Sequence, residues 1–127
     1  MSKIQESGEM YLESILVLRQ RLGSVRAIDI VKLTGYSKPS ISRALSNLRA
    51  GGMISVDQEG YITLTADGEM RAQKVYERHR VLTEFFALIG VPEEIADADA
   101  CKIEHDISDD TFLKIKEHLL RMQGESK

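Results

Sequence analysis

The chain has 127 residues, long enough for one sizeable hydrophobic core or for two small lobes that share a boundary. Its 43% hydrophobic and 29% charged residues are ordinary for a globular protein, and no apolar run approaches the roughly 20 residues that a membrane span needs. The start, MSKIQESGEMY, lacks the apolar stretch of a secretory signal, and the single cysteine cannot form an internal disulfide. These features predict a soluble cytoplasmic protein without a membrane partner.

The net charge of −3 conceals an uneven distribution. Residues 1–60 carry eight Lys or Arg against six Asp or Glu, whereas residues 61–127 carry nine against fourteen. Residues 19–49 hold seven basic side chains and a single acidic one, Asp29. Such a cluster indicates a surface for a polyanion, although a short basic stretch can also be an ordinary solvated surface.

Three helices are predicted in the first third of the chain. Apolar residues recur at three- and four-residue spacing over residues 7–21 and predict the first helix. RAIDIVKLTG predicts a short second helix that Gly35 closes as a C-cap. YSKPSISRALSNLRAGG predicts a third, with Pro39 in its first turn and paired glycines at its end. The second and third helices are therefore joined by a tight turn.

A hairpin and three more helices are predicted further along the chain. MISVDQEGYITL reads as two strands around a turn in which Gly60 supplies a positive φ. Thr65 is a plausible N-cap for a long helix that stops at Gly90, and another helix starts at Pro92 and includes ADACKIEHDIS. Ser108 caps the last helix, and the tail QGESK is expected to be disordered.

This order of elements is that of a winged helix-turn-helix, a mainly α fold with a small antiparallel β wing. We place this DNA-binding domain at residues 1–70 and a helical domain at residues 71–127. In the third helix an apolar stripe leaves polar side chains on the opposite face, where Arg43 could bond guanine in a bidentate manner. The predicted DNA-binding residues are Arg26, Ser37, Lys38, Pro39, Ser40, Ser42, Arg43 and Asn47. A helical hairpin with an exposed polar face is the alternative.

The segment ADACKIEHDIS holds three different groups that can bind a metal. Cys101, Glu104 and His105 are spaced i, i+3 and i+4, which places them on one face of a helix. Thiolate, carboxylate and imidazole together suit a transition metal, whereas calcium and magnesium prefer oxygen ligands alone. Further candidate ligands are Met10, Glu13 and His79. Taken singly, each is more often a core filler or a surface feature.

Two other interpretations of Cys101 stay open at this point. The thiol could sense oxidants in a DNA-binding repressor without metal control. Cys101 and His105 could alternatively form a catalytic dyad, but no glycine-rich or strand-borne oxyanion pocket is visible in the sequence. We therefore expect neither an enzyme nor a small-molecule substrate. A dimerising scaffold that binds no DNA is a further alternative.

Five separated segments in register resemble the diphtheria toxin repressor family of metal-dependent transcriptional regulators, which includes the manganese transport regulators. They are EMYLESI, SKPSISRALSNLRAGGMI, ITLTADGE, RHRVLTEFF and ACKIEH. The resemblance implies that the winged helix binds double-stranded operator DNA, that the later helices form a homodimer, and that Fe(II) or Mn(II) acts as corepressor. It also implies repression of metal-homeostasis genes.

The resemblance also implies a set of metal ligands. By position, the primary site of the family falls on Met10, Cys101, Glu104 and His105, and its Met and Cys match the iron-responsive branch. Fe(II) is thus the expected cofactor, with Mn(II) as the alternative, and other divalent transition metals are expected to substitute in vitro.

A second metal site of the family is matched less completely. Glu13 and His79 match positions of the binuclear site in the manganese branch. In the ancillary site, Thr83 stands where an acid is expected. Glu84 lies one position away, and Asp97 could replace another absent ligand.

Overall fold

A computed structural model describes residues 2–125, and it describes the side chains of residues 8–124. The elements in chain order are α1 (Ser2–Leu22), β1 (Val25–Arg26), α2 (Ala27–Thr34), α3 (Lys38–Ala50), β2 (Ile54–Val56), β3 (Tyr61–Leu64), α4 (Ala66–Leu88), α5 (Glu93–Ile103) and α6 (Asp109–Glu125). This confirms the predicted mainly α fold with a small antiparallel sheet. Among the described helices, none is both long and apolar enough to cross a membrane.

The chain divides into two compact units, Met1–Lys74 and Val75–Lys127, and the division falls inside α4. In the first unit the core is built on α1, where helical periodicity turns one face inward and buries Leu12, Ile15 and Leu16 almost completely. Ile30 of α2 and Ile41 of α3 are equally buried. Each such side chain contributes about 1.5–3 kcal/mol through its burial, so this core holds the helix-turn-helix in place.

The turn between α2 and α3 forms as the sequence predicts. Gly35 adopts a left-handed conformation with φ of 77° and closes α2 by donating its N–H to the carbonyl of Val31 at 2.8 Å. Ser37 is the N-cap of α3, and its hydroxyl accepts a hydrogen bond from the N–H of Ser40. Pro39 lies in the first turn of α3, where a missing N–H costs nothing.

The predicted hairpin is a wing of three strands rather than two. β3 lies in the middle and pairs antiparallel with β2 on one side and with the two-residue β1 on the other. Between β2 and β3, Gly60 has φ of 88° and donates its N–H to the carbonyl of Asp57 at 3.1 Å. Sequence reasoning missed β1 because a strand of two residues has no alternation to detect; long-range pairing such as Val25 with Ile62 defines it.

The start of α4 packs tightly against the backbone before β2. Thr65 donates its N–H to the carbonyl of Met53 at 3.0 Å and its hydroxyl to the carbonyl of Gly52 at 2.7 Å. The same hydroxyl accepts the N–H of Gly68 at 3.1 Å, which confirms Thr65 as the N-cap. A Cβ on Gly68 would lie only 1.9 Å from the Met53 carbonyl oxygen, so this position requires glycine.

In the second unit, α6 packs on α4 through Val81, Phe112 and Leu119. Ser108 accepts the N–H of Thr111 at 3.2 Å and so caps α6 as predicted.

Two other predictions about the second unit were wrong. α5 ends at Ile103, and the next three residues form a turn, so the helix does not extend through ADACKIEHDIS. α6 continues to Glu125, so the start of QGESK is helical; Gln123 donates a hydrogen bond to Glu84 at 3.3 Å, which ties this end to α4. The final two residues lie outside the described part of the chain.

Candidate metal centre and nucleic-acid interface

The outer face of α3 carries the side chains that sequence reasoning assigned to DNA. Ile41 and Leu48 are buried, which turns Ser42, Arg43 and Asn47 outward, where all three are exposed. Among residues 8–124, these three outward side chains have no hydrogen-bond or ion-pair partner. Their donors and acceptors are therefore available to base edges or phosphates.

The N-terminus of α3 is organised by two hydroxyl groups. Ser37 accepts the N–H of Ser40 at 3.3 Å and donates its own hydroxyl to the Ser40 oxygen at 3.0 Å. Lys38 and Pro39 are exposed beside them. The first N–H groups of a helix and its dipole favour an anion, so this end suits a phosphate. Capping is thus a structural role that Ser37 has in addition to its predicted DNA contact.

Arg26 is held against the wing. Its backbone N–H donates to the carboxylate of Asp29 at 2.9 Å, and its guanidinium donates to the carbonyl of Glu59. The guanidinium carbon also lies 4.9 Å from the ring centre of Tyr61. Because a guanidinium has five N–H donors, this arrangement fixes Arg26 in place and leaves donors for a phosphate.

One member of the basic run is neutralised. Arg19 forms a bidentate pair with Glu69, with nitrogen–oxygen distances of 2.5 and 2.8 Å. The hydrogen bonds from Arg19 lower the pKa of Glu69 to about 2. Arg19 therefore does not count toward the surface available to DNA. Sequence reasoning missed this pair because its members are far apart along the chain.

The carboxylate of Glu104 is the central group of the candidate metal centre in the second unit. The side chain is 0% exposed, and its Oε2 lies 2.9 Å from Nδ1 of His79 while its Oε1 lies 3.3 Å from Nε2 of His105. Burial alone would raise the pKa of this carboxyl, but the interactions with His105 and His79 outweigh burial and lower it. The group is therefore an anion although its side chain is fully buried.

His79 lies between two carboxylates. Its Nε2 is 2.8 Å from Oδ1 of Asp97, an exposed residue of α5, on the side opposite to Glu104. Sequence reasoning named Asp97 only as a substitute ligand, yet its spacing of four and seven residues from Cys101 and Glu104 puts it on the same helical face. The spacing could therefore have marked Asp97 as a candidate ligand, although not its contact with His79 on another helix.

The donor set of the second unit fits a divalent transition metal. Imidazole and carboxylate groups are ligands that Fe(II) and Mn(II) accept. The Oε1 atom of Glu104 is buried and, apart from its 3.3 Å contact with Nε2 of His105, makes no hydrogen bond within the part of the chain that the structure describes. A buried anionic oxygen of this kind is costly unless a cation compensates it. His79, Glu104 and His105 are the residues that would hold such an ion.

The remaining predicted ligands differ in their placement. Cys101 is exposed on α5, whereas Glu104 just beyond the end of that helix is buried. Met10 and Glu13 are half-buried on α1 in the first unit, and the Met10 sulfur accepts a hydrogen bond from the Tyr36 hydroxyl at 3.7 Å. That these three residues bind the same metal as the second unit stays a prediction.

Comparison with known proteins places this arrangement in a family. Residues 65–124 match the family described as "Iron dependent repressor, metal binding and dimerisation domain". The chain is 36% identical over 102 residues to the transcriptional regulator MntR of Escherichia coli O6:H1, an alignment that covers 80% of this chain. The chain belongs to the diphtheria toxin repressor family of metal-dependent transcriptional regulators. Members of this family are transcriptional regulators and not enzymes.

Both branches of the diphtheria toxin repressor family are represented among the relatives. The chain is 29% identical over 111 residues to the iron-dependent repressor IdeR of Mycobacterium tuberculosis, which covers 87% of this chain and 48% of IdeR. A manganese-dependent transcriptional repressor solved with manganese has a TM-score of 0.81 at 24% identity, over 88% of this chain and 52% of that one, a likeness of fold. The chain spans 66% of the length of MntR, just under two thirds, and about half of the other two.

Proposed function

We propose that this protein is a repressor that binds operator DNA as a homodimer when it is loaded with Fe(II), and that it controls metal-homeostasis genes. The observation that carries the proposal is the Glu104 carboxylate, which is fully buried between the imidazoles of His79 and His105. A buried carboxylate is costly in a purely structural core unless its charge is compensated, and a bound cation would compensate it.

The proposed ligands are His79, Glu104 and His105, to which the family resemblance adds Met10, Glu13 and Cys101. Within the family, Met and Cys at these positions favour Fe(II). Mn(II) is the second candidate because Asp97 and Glu104 bring two carboxylates to His79 and carboxylates suit Mn(II). When bound, the metal supplies positive charge and fixed bond directions at the Glu104 carboxylate.

The proposed DNA-binding surface is the outer face of α3 together with its N-terminus and Arg26. Arg43 and Asn47 are one helical turn apart and so can reach neighbouring base edges in a major groove. Lys38 and Arg26 would contact phosphates and set the register. In a two-fold dimer, the two α3 helices would read half-sites about one turn of DNA apart or a multiple of it.

Metal binding and DNA binding are linked equilibria in this proposal. If metal tightens DNA binding by some factor, DNA must tighten metal binding by the same factor. A metal that leaves DNA affinity unchanged would be bound equally tightly with and without DNA, so metal affinity measured with and without the duplex is an independent check of the linkage.

The test begins with a duplex selected from a random-sequence pool, once with Fe(II) and once with chelator, under anaerobic conditions. Fluorescence anisotropy at fixed salt then compares chelator, Fe(II), Mn(II) and Zn(II). We expect tightening by Fe(II) that chelator reverses. If none of the metals changed the affinity for the duplex, the proposal would be refuted. If only peroxide changed that affinity, the result would support a thiol sensor at the exposed Cys101 instead.

A pair of variants tests the DNA surface separately. Arg43→Ala should cost about 1–3 kcal/mol of binding to the selected duplex and relax its sequence preference at one position. Arg121→Ala removes the same charge from an exposed position on α6 and serves as the control. Equal losses in the two variants would show that only net charge matters and would remove α3 as the reading helix.

A further inference from the structure

Arg78 is a largely buried cation that binds the turn between α5 and α6. Its side chain is only 11% exposed, and Nη1 donates to the carbonyl of Glu104 at 3.0 Å and to the carbonyl of Ile107 at 2.8 Å. Nη2 donates to the carboxylate of Asp109. The guanidinium carbon lies 5.4 Å from the ring centre of Phe112. One side chain of α4 thus contacts two carbonyls of the turn and the first residue of α6.

The two carbonyls bracket the backbone that carries two of the proposed metal ligands. The chain leaves the α5 helix at Ile103, so the carbonyls that follow have no partner within a helix. Arg78 donates hydrogen bonds to the carbonyls of Glu104 and Ile107, and His105 lies between these two residues in the chain. Arg78 also immediately precedes His79 on α4. Arg78 therefore contributes directly to the spacing between His79 on one element and Glu104 and His105 on the other.

We propose that Arg78 is a positioning residue of the metal centre, a role that rests on the proposed function. By binding the carbonyls of Glu104 and Ile107 to α4, it keeps the Glu104 carboxylate and the His105 imidazole near His79, and these three side chains would hold the ion. Groups that only orient ligands typically change metal affinity by about 10–100-fold when they are removed, because the ligands must then be ordered as the metal binds.

A purely structural role for Arg78 would be to tie α6 to α4 through Asp109. The chain offers a matched comparison, since Lys116 of α6 binds Glu77 of α4 at 2.6 Å. That pair joins the same two helices but does not touch the turn. Glu77 is also the residue that precedes Arg78 along α4. Stability that comes from joining the helices should therefore fall in Lys116→Met as well, while metal affinity should not.

The experiment uses the full chain and four proteins: wild type, Arg78→Met, Asp109→Asn and Lys116→Met. Mn(II) affinity is measured by competition with a chelator, and the visible spectrum of the Co(II) form reports ligand geometry. Thermal unfolding and hydrogen exchange at the Glu104 and Ile107 amides are measured without metal. These two amides donate to Ala100 and Ile103 at 3.0 Å, so they report whether the turn stays closed.

We expect Arg78→Met to weaken Mn(II) binding about 10–100-fold, to change the Co(II) spectrum and to speed exchange at both amides. Asp109→Asn keeps both carbonyl contacts and should bind Mn(II) within about threefold of wild type, the level of a weak exposed pair. Lys116→Met should match wild type in affinity and spectrum even where its unfolding temperature falls. If Arg78→Met does not fold, Arg78→Gln is tested by the same criteria, because its shorter side chain cannot place an N–H group between the carbonyls of Glu104 and Ile107.

If Arg78→Met had the Mn(II) affinity and the Co(II) spectrum of wild type, the positioning role would be overturned and the proposed metal centre would stand. The positioning role would also be overturned if all three variants lost Mn(II) affinity in proportion to the fall in their unfolding temperatures. Failure of the wild type itself to bind Mn(II), Fe(II) or Co(II) would instead overturn the proposed function and the positioning role together. The two failures are therefore distinguishable.

Discussion

Glu104→Gln removes the buried charge of the metal centre and keeps the shape of the side chain. In the metal-free protein the variant loses an ionic hydrogen bond to His79, worth about 1.5–3 kcal/mol. It also avoids the free-energy cost of burying a charged carboxylate, because the side chain at this position is 0% exposed. The two effects oppose one another, so the free energy of unfolding without metal should change by only about 1 kcal/mol.

The metal-loaded protein should behave differently. Groups that merely orient ligands already cost about 10–100-fold in metal affinity, so loss of a ligand should cost at least about 100-fold. At a metal concentration of 100 times the wild-type Kd, wild type gains about 2.7 kcal/mol of stability. A variant with 100-fold weaker binding gains only about 0.4 kcal/mol at the same concentration.

Denaturant unfolding with and without Mn(II) measures this difference of about 2.3 kcal/mol. Glu94→Gln, on the exposed first turn of α5, is the matched control and should gain as much from Mn(II) as wild type. If Glu104→Gln gained the full stabilisation, the buried carboxylate would not be a ligand and the reasoning from its unsatisfied oxygen would be refuted.

Three further predictions concern the first unit. Gly68→Ala should lower the free energy of unfolding by about 1–3 kcal/mol, measured by denaturant, because its Cβ would lie 1.9 Å from the Met53 carbonyl oxygen. Glu69→Gln should cost about 0.5–1 kcal/mol at pH 7, because the pair with Arg19 is partly exposed. Since the pKa of Glu69 is lowered from 4.5 to about 2, this stabilisation is present above pH 4.5 and is lost as pH falls toward 2. Glu59→Gln should tighten DNA binding about twofold in anisotropy at low salt, because the wing tip loses a charge that repels phosphate.

Each of these predictions has a contrary outcome. Gly124→Ala in α6 is the control for the first, since a Cβ there meets nothing within 4 Å, and equal losses would contradict the steric argument. A cost of Glu69→Gln that stays constant from pH 7 to pH 2 would show that the ion pair is not its source. Unchanged affinity in Glu59→Gln at low and high salt would mean that the wing stays away from DNA.

Elements with local signals could be predicted from the sequence. Gly35 and Gly60 have the positive φ values of 77° and 88° that their turns need, and Ser37 and Thr65 are caps. The end of α5 could not be predicted in this way. Helical spacing continues through His105, but α5 ends at Ile103, and the carbonyls of Glu104 and Ile107 bond Arg78 of α4. A local pattern contains no information about such contacts.

In the candidate site, too, local spacing predicted some features, whereas tertiary packing decided the others. Spacing identified Cys101, Glu104 and His105 as neighbours, but it could not tell which side of α5 faces α4. The structure buries Glu104 and exposes Cys101. The contact of His79 with Asp97 joins residues on two helices and is therefore a product of packing. The resemblance supplied His79, and periodicity alone would not have paired it with a carboxylate.

The two carboxylates on either side of His79 have a consequence for how the protein would exchange its ligand. The carboxylate oxygens of Glu104 and Asp97 lie 2.9 and 2.8 Å from the two ring nitrogens, so a proton on either nitrogen can be shared with a carboxylate. A metal binds an imidazole only through a nitrogen that carries no proton, so a divalent ion that takes His79 as a ligand competes with a proton for that nitrogen. We therefore expect the affinity of the centre for metal to fall as the pH falls.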